Sequence, residues 1–153
     1  MAISAAIVLV IGALIVFVLA RGNSSLGVSA PNAPLDPYAA SLPITNVVMS
    51  ESSNLAGTKV TYVDGHIANT GARTVTAITV QALYRNAAHE VAQNETQSLR
   101  IIRTRDPYVD LEPVSAAPLK PGDQRDFRLI FDAVNADWDG VYPEIRILKV
   151  QAQ

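Results

Sequence analysis

The sequence predicts an all-β domain, an immunoglobulin-like β-sandwich of about six or seven strands, preceded by one N-terminal transmembrane helix. Three observations predict it. Residues 1–20 carry no charged side chain, and about 20 apolar residues are what a helix rising ~1.5 Å per residue needs to cross ~30 Å of hydrocarbon. A stretch rich in Ser, Gly, Ala and Pro follows. From Ile44 onward, short β-type runs alternate with turn signals, and no helical stripe of ten or more residues occurs. The expected division is therefore an anchor at residues 1–20, a linker at 21–43 and a β-sandwich at 44–153.

The apolar run, Ile, Val, Leu, Ala and Phe with one Gly and one Ser, partners the lipid bilayer through residues 2–20. A cleaved signal peptide has a shorter apolar core behind a basic region. Here the run is longer and no Lys or Arg precedes it, although Val18-Leu19-Ala20 has the small-residue look of a cleavage site. A filament-forming pilin-type helix carries a glutamate early in such a run, and the first glutamate here is Glu51. The flanking cations, the α-amine of Met1 and Arg21, give no positive-inside bias. The abrupt N-terminal anchor places the domain outside the cytoplasm, on the periplasmic side of a bacterial inner membrane. The linker has prolines at 31, 34, 37 and 43 and reads as a tether, with a reach of ~25 Å for about twenty flexible residues.

Within the domain, strands are expected at residues 44–49, 59–69, 75–84, 96–103, 127–131 and 144–151. The third is the clearest: Ile78, Val80, Ala82 and Tyr84 share one face, with Thr79 and Gln81 on the other. Leu99 and Ile101 share a face in the fourth. Asn69-Thr70-Gly71 and Pro121-Gly122-Asp123 are turn signals, and the second feeds the alternation Phe127, Leu129, Phe131. In the last run Ile145 and Ile147 face one way and Leu148 and Val150 the other, which requires either two covered faces or a bulge. The single Trp138 reads as a packing residue.

Several of these segments carry a resemblance. Thr61-Tyr62-Val63-Asp64-Gly65-His66-Ile67-Ala68-Asn69-Thr70-Gly71, Ala117-Pro118-Leu119-Lys120-Pro121-Gly122, Arg125-Asp126-Phe127-Arg128-Leu129, and Trp138 with Tyr142-Pro143-Glu144-Ile145-Arg146 resemble a bacterial family of membrane-anchored domains of unknown function. Ala82-Leu83-Tyr84-Arg85-Asn86 is similar to the FxLYD-type sandwich modules. The resemblance runs from about Tyr38 to the C-terminus and implies an anchored sandwich with no catalytic residues to carry over. Members of that family begin with a polar stretch before the span, whereas here the span starts at once.

Charge and composition narrow the function classes. Of 12 basic residues one, Arg21, adjoins the apolar run, which leaves 11 against 14 acidic residues and a net charge near −3 for the rest. Nucleic-acid binding needs clustered cations, so no nucleic-acid partner is expected. The chain has no cysteine, which removes thiolate chemistry, disulfides and Cys-type metal sites. His66 and His89 stand alone in sequence, short of the three or four converging ligands a zinc site needs, and no G-x-S-x-G turn occurs. Asn135-Ala136-Asp137-Trp138-Asp139-Gly140 opens like a calcium loop, but Arg146 stands where the closing bidentate Glu belongs, so a polar turn seating Trp138 is expected. No cofactor and no enzymatic activity are expected.

The segment 106–119 stands out because Pro107, Pro113 and Pro118 disfavour regular strand, and long irregular connections are often functional. With Arg103 and Arg105, expected on one strand face, it forms the expected partner surface: Arg103, Arg105, Tyr108, Asp110 and Leu111. Asp106, Asp110 and Glu112 are also placed to pair with these cations. The expected function is a non-enzymatic interaction or assembly module, an accessory subunit partnered with another membrane or envelope protein. The alternative is a small-ligand or ion-binding domain using loops at one end of the sandwich.

Overall fold

The computed structural model describes residues 29–53, 57 and 59–153. The expected transmembrane segment, residues 2–20, lies outside them, as does the first part of the expected linker. Among the described residues no helix is long and apolar enough to cross a membrane.

Eight strands form: β1 (Ile44–Ser53), β2 (Lys59–Ala68), β3 (Val75–Arg85), β4 (Val91–Ser98), β5 (Arg100–Thr104), β6 (Asp110–Pro113), β7 (Gln124–Phe131) and β8 (Glu144–Ala152). They make a five-stranded sheet in the order β1-β2-β7-β5-β6 and a three-stranded sheet in the order β4-β3-β8. All pairings between these strands are antiparallel, and the two sheets pack as a sandwich. Period-2 alternation sends Val63, Ile67, Ile101, Phe127, Leu129 and Phe131 inward from one sheet and Ile78, Val80, Ala82, Tyr84 and Ile147 inward from the other. The Tyr84 ring meets Phe131 edge-on at 5.3 Å and Trp138 edge-on at 5.6 Å, so Trp138 packs against the core.

Two expectations are corrected. The single strand expected at residues 96–103 is two strands in different sheets. The chain leaves β4 and crosses at Leu99, whose N–H bonds the Ile78 carbonyl at 2.9 Å, and enters β5. Leu99 and Ile101 are both buried because the core lies between the sheets, whichever sheet a residue belongs to. The stretch expected to be irregular, 106–119, contains β6. Its Pro113 is tolerated because β6 is the outermost strand of its sheet. In β8 the register slips so that Val80 faces Ile147 and Thr79 faces Lys149. Leu148 is thus the extra residue of a bulge, which is why the alternation reverses there.

The floor of the sandwich is organised by Asn69, which is fully buried. Its carbonyl oxygen accepts from Gly71 N–H at 3.1 Å and Tyr38 O–H at 3.1 Å, and its amide donates to the carbonyls of Arg73 at 2.8 Å and Leu119 at 3.0 Å. The Pro121-Gly122 turn closes on the same residue, with Gly122 N–H on the Asn69 carbonyl at 2.8 Å. Gly122 has φ +84, a conformation that favours glycine.

The chain before Pro43 is bound to the sandwich from Ser29 onward. Gln81 on β3, fully buried, donates to the Ser29 and Ala30 carbonyls at 3.1 and 2.9 Å. Arg146 on β8 donates to the Pro31 and Ala33 carbonyls. Asp36 bonds β8 through its own N–H, given to Ile147 O at 3.0 Å, and its carboxylate, which accepts Val150 N–H at 2.8 Å.

Candidate partner surface

β2 and β7 lie side by side, and their register decides what their outward residues can do. Asp64 stands opposite Arg128 and His66 opposite Asp126. The inward residue between them is Gly65, opposite Phe127. A Cβ on Gly65 would sit 2.5 Å from the Phe127 ring, so glycine is what lets that ring lie flat across β2.

The outward residues form one continuous polar ladder. Arg128 grips Asp64 with two bonds, Nε at 2.6 Å and Nη2 at 2.8 Å. Its guanidinium also lies over the Tyr62 ring, 4.7 Å from the centroid. Arg105 bridges the two carboxylates, Asp64 at 3.2 Å and Asp126 at 3.0 Å. Asp126 reaches the Nδ1 of His66 at 3.0 Å, and the Nε2 of His66 faces the Gln124 side-chain oxygen at 3.1 Å.

The electrostatics follow from these contacts. Burial alone would raise the Asp64 carboxyl, but the hydrogen bonds and charges of Arg128 and Arg105 together hold it below the usual carboxylate range. The bonds from His66 and Arg105 likewise hold Asp126 low against the opposing effect of burial. Both ring nitrogens of His66 lie within hydrogen-bond distance of a side-chain oxygen, an arrangement that favours the protonated ring. The bond to Asp126, then that to Gln124, raises it above its ordinary value. The ring is held on both sides, and the His66–Asp126 pair ties β2 to β7. Among the described residues no group of three metal-capable side chains forms.

The expected partner residues lie on the β5–β6 hairpin beside this ladder. Leu111 faces Ile102 across it. Arg103 pairs with Asp110, as the nearby charges allowed. Arg103 and Arg105 do not share partners. The register slips between Ile102 and Thr104, and Arg105, past the end of β5, turns back onto Asp64 and Asp126. Arg105 thus roots the hairpin tip, and Tyr108 at that tip is 83% exposed. Asp64, His66, Asp126 and Arg128, the fixed points of the arrangement, were not singled out from sequence as site residues. Only the pairing of β2 with β7 brings them together.

The remaining sequence candidates settle into the fold. His89 sits in the β3–β4 turn with φ 62. In the calcium-like loop, the Asn135 and Asp139 side-chain oxygens accept the N–H groups of Asp137 and Val141, both at 2.9 Å. Trp138 Nε1 donates to the Val141 carbonyl at 2.7 Å, a polar turn that seats the indole.

Residues 39–143 match the family model described as Protein of unknown function (DUF2393). That is more than half of the 153 residues. The chain belongs to the DUF2393 family. No curated protein and no solved structure matches it. The DUF2393 match takes in the whole ladder and the β5–β6 hairpin, and it stops just before β8.

Proposed function

We propose that this DUF2393 protein is a non-enzymatic interaction module. It is held at a bacterial inner membrane by residues 2–20 with its domain on the periplasmic side, and it serves as an accessory subunit of a membrane or envelope complex. The observation that carries this reading is the presentation of Tyr108. A large aromatic side chain, 83% exposed, stands on a hairpin tip whose root is pinned by Arg105 to carboxylates on two neighbouring strands. Aromatic side chains on rigid supports are what interface hot spots are made of. The finer likeness, to immunoglobulin-like and FxLYD-type modules, is supported by the antiparallel two-sheet arrangement, and such modules present loops and hairpins on a stiff core.

The ligand-binding alternative has a recess of about 210 Å³ bordered by Arg85, His89, Asp139 and Tyr142. Arg85 there is already bonded to Glu144 at 2.9 Å and to the His89 carbonyl at 3.0 Å. Asp139 is bound in its own turn, so few polar groups converge on a guest.

The test is purification of the tagged full-length protein in mild detergent, with mass spectrometry, beside Tyr108→Ala and Arg105→Ala. The proposal expects a stoichiometric membrane or envelope partner that both substitutions release. A partner retained by both variants, or none in any preparation, overturns it.

A further inference from the structure

The segment that leads into the sandwich is held in two different ways along its length. On the outward face of the three-stranded sheet, Gln81 of β3 stands opposite Arg146 of β8, and Asn94 lies alongside on β4. These side chains, one from each strand, reach only main-chain carbonyls of the segment. Asn94 donates to Ser29 at 2.6 Å, Gln81 to Ser29 at 3.1 Å and to Ala30 at 2.9 Å, and Arg146 to Pro31 and, at 2.7 Å, to Ala33. The donors are also bonded to one another, Gln81 to Asn94 at 3.0 Å and Arg146 to Gln81 at 3.0 Å.

No apolar burial reinforces this hold. From Ser29 to Leu35 no side chain is buried, and Leu35 is 53% exposed. Hydrogen bonds that water can replace give little net stability. The row of donors lies on an outward face, so water replaces the carbonyls when the segment lifts, and the bonds within the row persist.

From Asp36 onward the hold changes in kind. Asp36 gives its N–H to the Ile147 carbonyl at 3.0 Å, and its carboxylate takes the Tyr38 and Val150 N–H groups, both at 2.8 Å. The Tyr38 hydroxyl bonds buried Asn69 at 3.1 Å, Thr70 N–H bonds the Ser41 carbonyl at 2.9 Å, and Leu42 is part of the core. Lifting therefore runs from Ser29 to Leu35 and stops at Asp36.

We propose that residues 29–35 are a releasable strap that gives the membrane tether two lengths. With the strap seated, only residues 21–28 lie between the anchor and the sandwich, which allows at most ~30 Å of separation at ~3.3–3.6 Å per residue. With the strap lifted, residues 21–35 span that interval, and the limit rises to ~50 Å. The seated strap keeps the domain close to the bilayer. The lifted strap lets the Tyr108 hairpin reach a partner surface that stands higher. The two heights rest on the anchor at residues 2–20 proposed above, and they do not depend on which residues contact the partner.

The test is double electron–electron resonance on the full-length protein in phosphatidylcholine nanodiscs. The chain has no cysteine, so Asn32→Cys on the strap and Lys120→Cys beside the Pro121-Gly122 turn carry the two spin labels. Both side chains are exposed. One dominant narrow distance is expected with the clamp intact. A broad second population is expected to grow at least fivefold in Arg146→Met, in Asn94→Ala and in the two combined. Amide spectra of these variants are expected to keep their dispersion at Tyr38, Asn69 and Leu42. Energy transfer from a fluorophore on Lys120→Cys to labelled headgroups is expected to fall at least twofold in the combined variant. Tyr108→Ala is expected to change neither readout. A narrow distance in every variant, a broad one with the clamp intact, or loss of dispersion at Leu42 when the strap lifts overturns the proposal. Protein that leaves the nanodisc overturns the anchor and the two heights together. Protein that stays and shows one height in every variant overturns this inference alone.

Discussion

Replacing Asp64 by Asn tests whether the ladder on the five-stranded sheet is a structural brace. Asp64 is 8% exposed and accepts two bonds from Arg128 and one from Arg105. Asn keeps the shape but turns an N–H₂ toward guanidinium donors and removes the charge. The Arg128 pair is mostly buried, so its loss costs about 2–3 kcal/mol, while the half-exposed Arg105 contact adds less than about 1 kcal/mol. The sum is about 3 kcal/mol, or roughly 12 °C in Tm for a domain of this size. The assay is urea and thermal unfolding of the full-length protein in detergent, with Arg128→Met and the double variant completing a cycle. The account expects the order Asp64→Asn, then Arg128→Met, then Arg105→Gln. It also expects a coupling of at least about 1 kcal/mol between Asp64 and Arg128. A loss under about 1 kcal/mol for Asp64→Asn, or a coupling near zero, would refute the reasoning.

Four further outcomes are expected. Gly65→Ala drives a methyl into the buried Phe127 ring and should cost about 1–3 kcal/mol, read by denaturation, with Gly65→Ala/Phe127→Leu recovering part of it. Asn69→Ala removes four hydrogen bonds, and while Leu119 O, Arg73 O and the Tyr38 hydroxyl keep second partners, the Gly71 N–H loses its acceptor; it should cost about 1–3 kcal/mol, visible as loss of dispersion at Tyr38 and Leu119. His66 has its folded pKa raised, so its contribution is full below the ordinary histidine value of about 6.5 and is lost as pH rises through the higher folded value. Wild-type stability should therefore fall as pH rises above the ordinary histidine value and through the higher folded one, and His66→Gln should show no such step. Asp64 and Asp126, both lowered, contribute above the ordinary carboxyl value of about 3.9, and that contribution is lost as pH falls through their lower folded values.

How much of this was legible varies by element, for physical reasons. β3 and β7 announced themselves because each buries a full alternating face. β4, Val91–Ser98, did not: Gln93 and Gln97 bond backbone carbonyls at the sandwich rim, so it carries no apolar alternation. The join of β4 and β5 was hidden because apolar spacing marks which residues face the core, not which sheet they come from. The hold on residues 29–36 was invisible in that stretch, because most of its contacts are made by main-chain carbonyls, which every residue has. At the candidate site, the Arg103–Asp110 pair is local and could be read from charge spacing. The Arg105 bridge joins residues 41 and 21 positions away and exists only once β2, β7 and β5 are laid side by side. The hairpin was found as an interesting segment, but what pins it was not.

The most direct test of the central claim, that this domain binds a partner through the β5–β6 hairpin, is site-specific photo-cross-linking in intact membranes. A benzophenone amino acid is placed at Tyr108 in one variant and at Thr76, on β3 away from the hairpin, in another. The account predicts one discrete adduct from position 108 that Arg105→Ala removes, and none from position 76. No adduct from 108, or the same adducts from both positions, would contradict it.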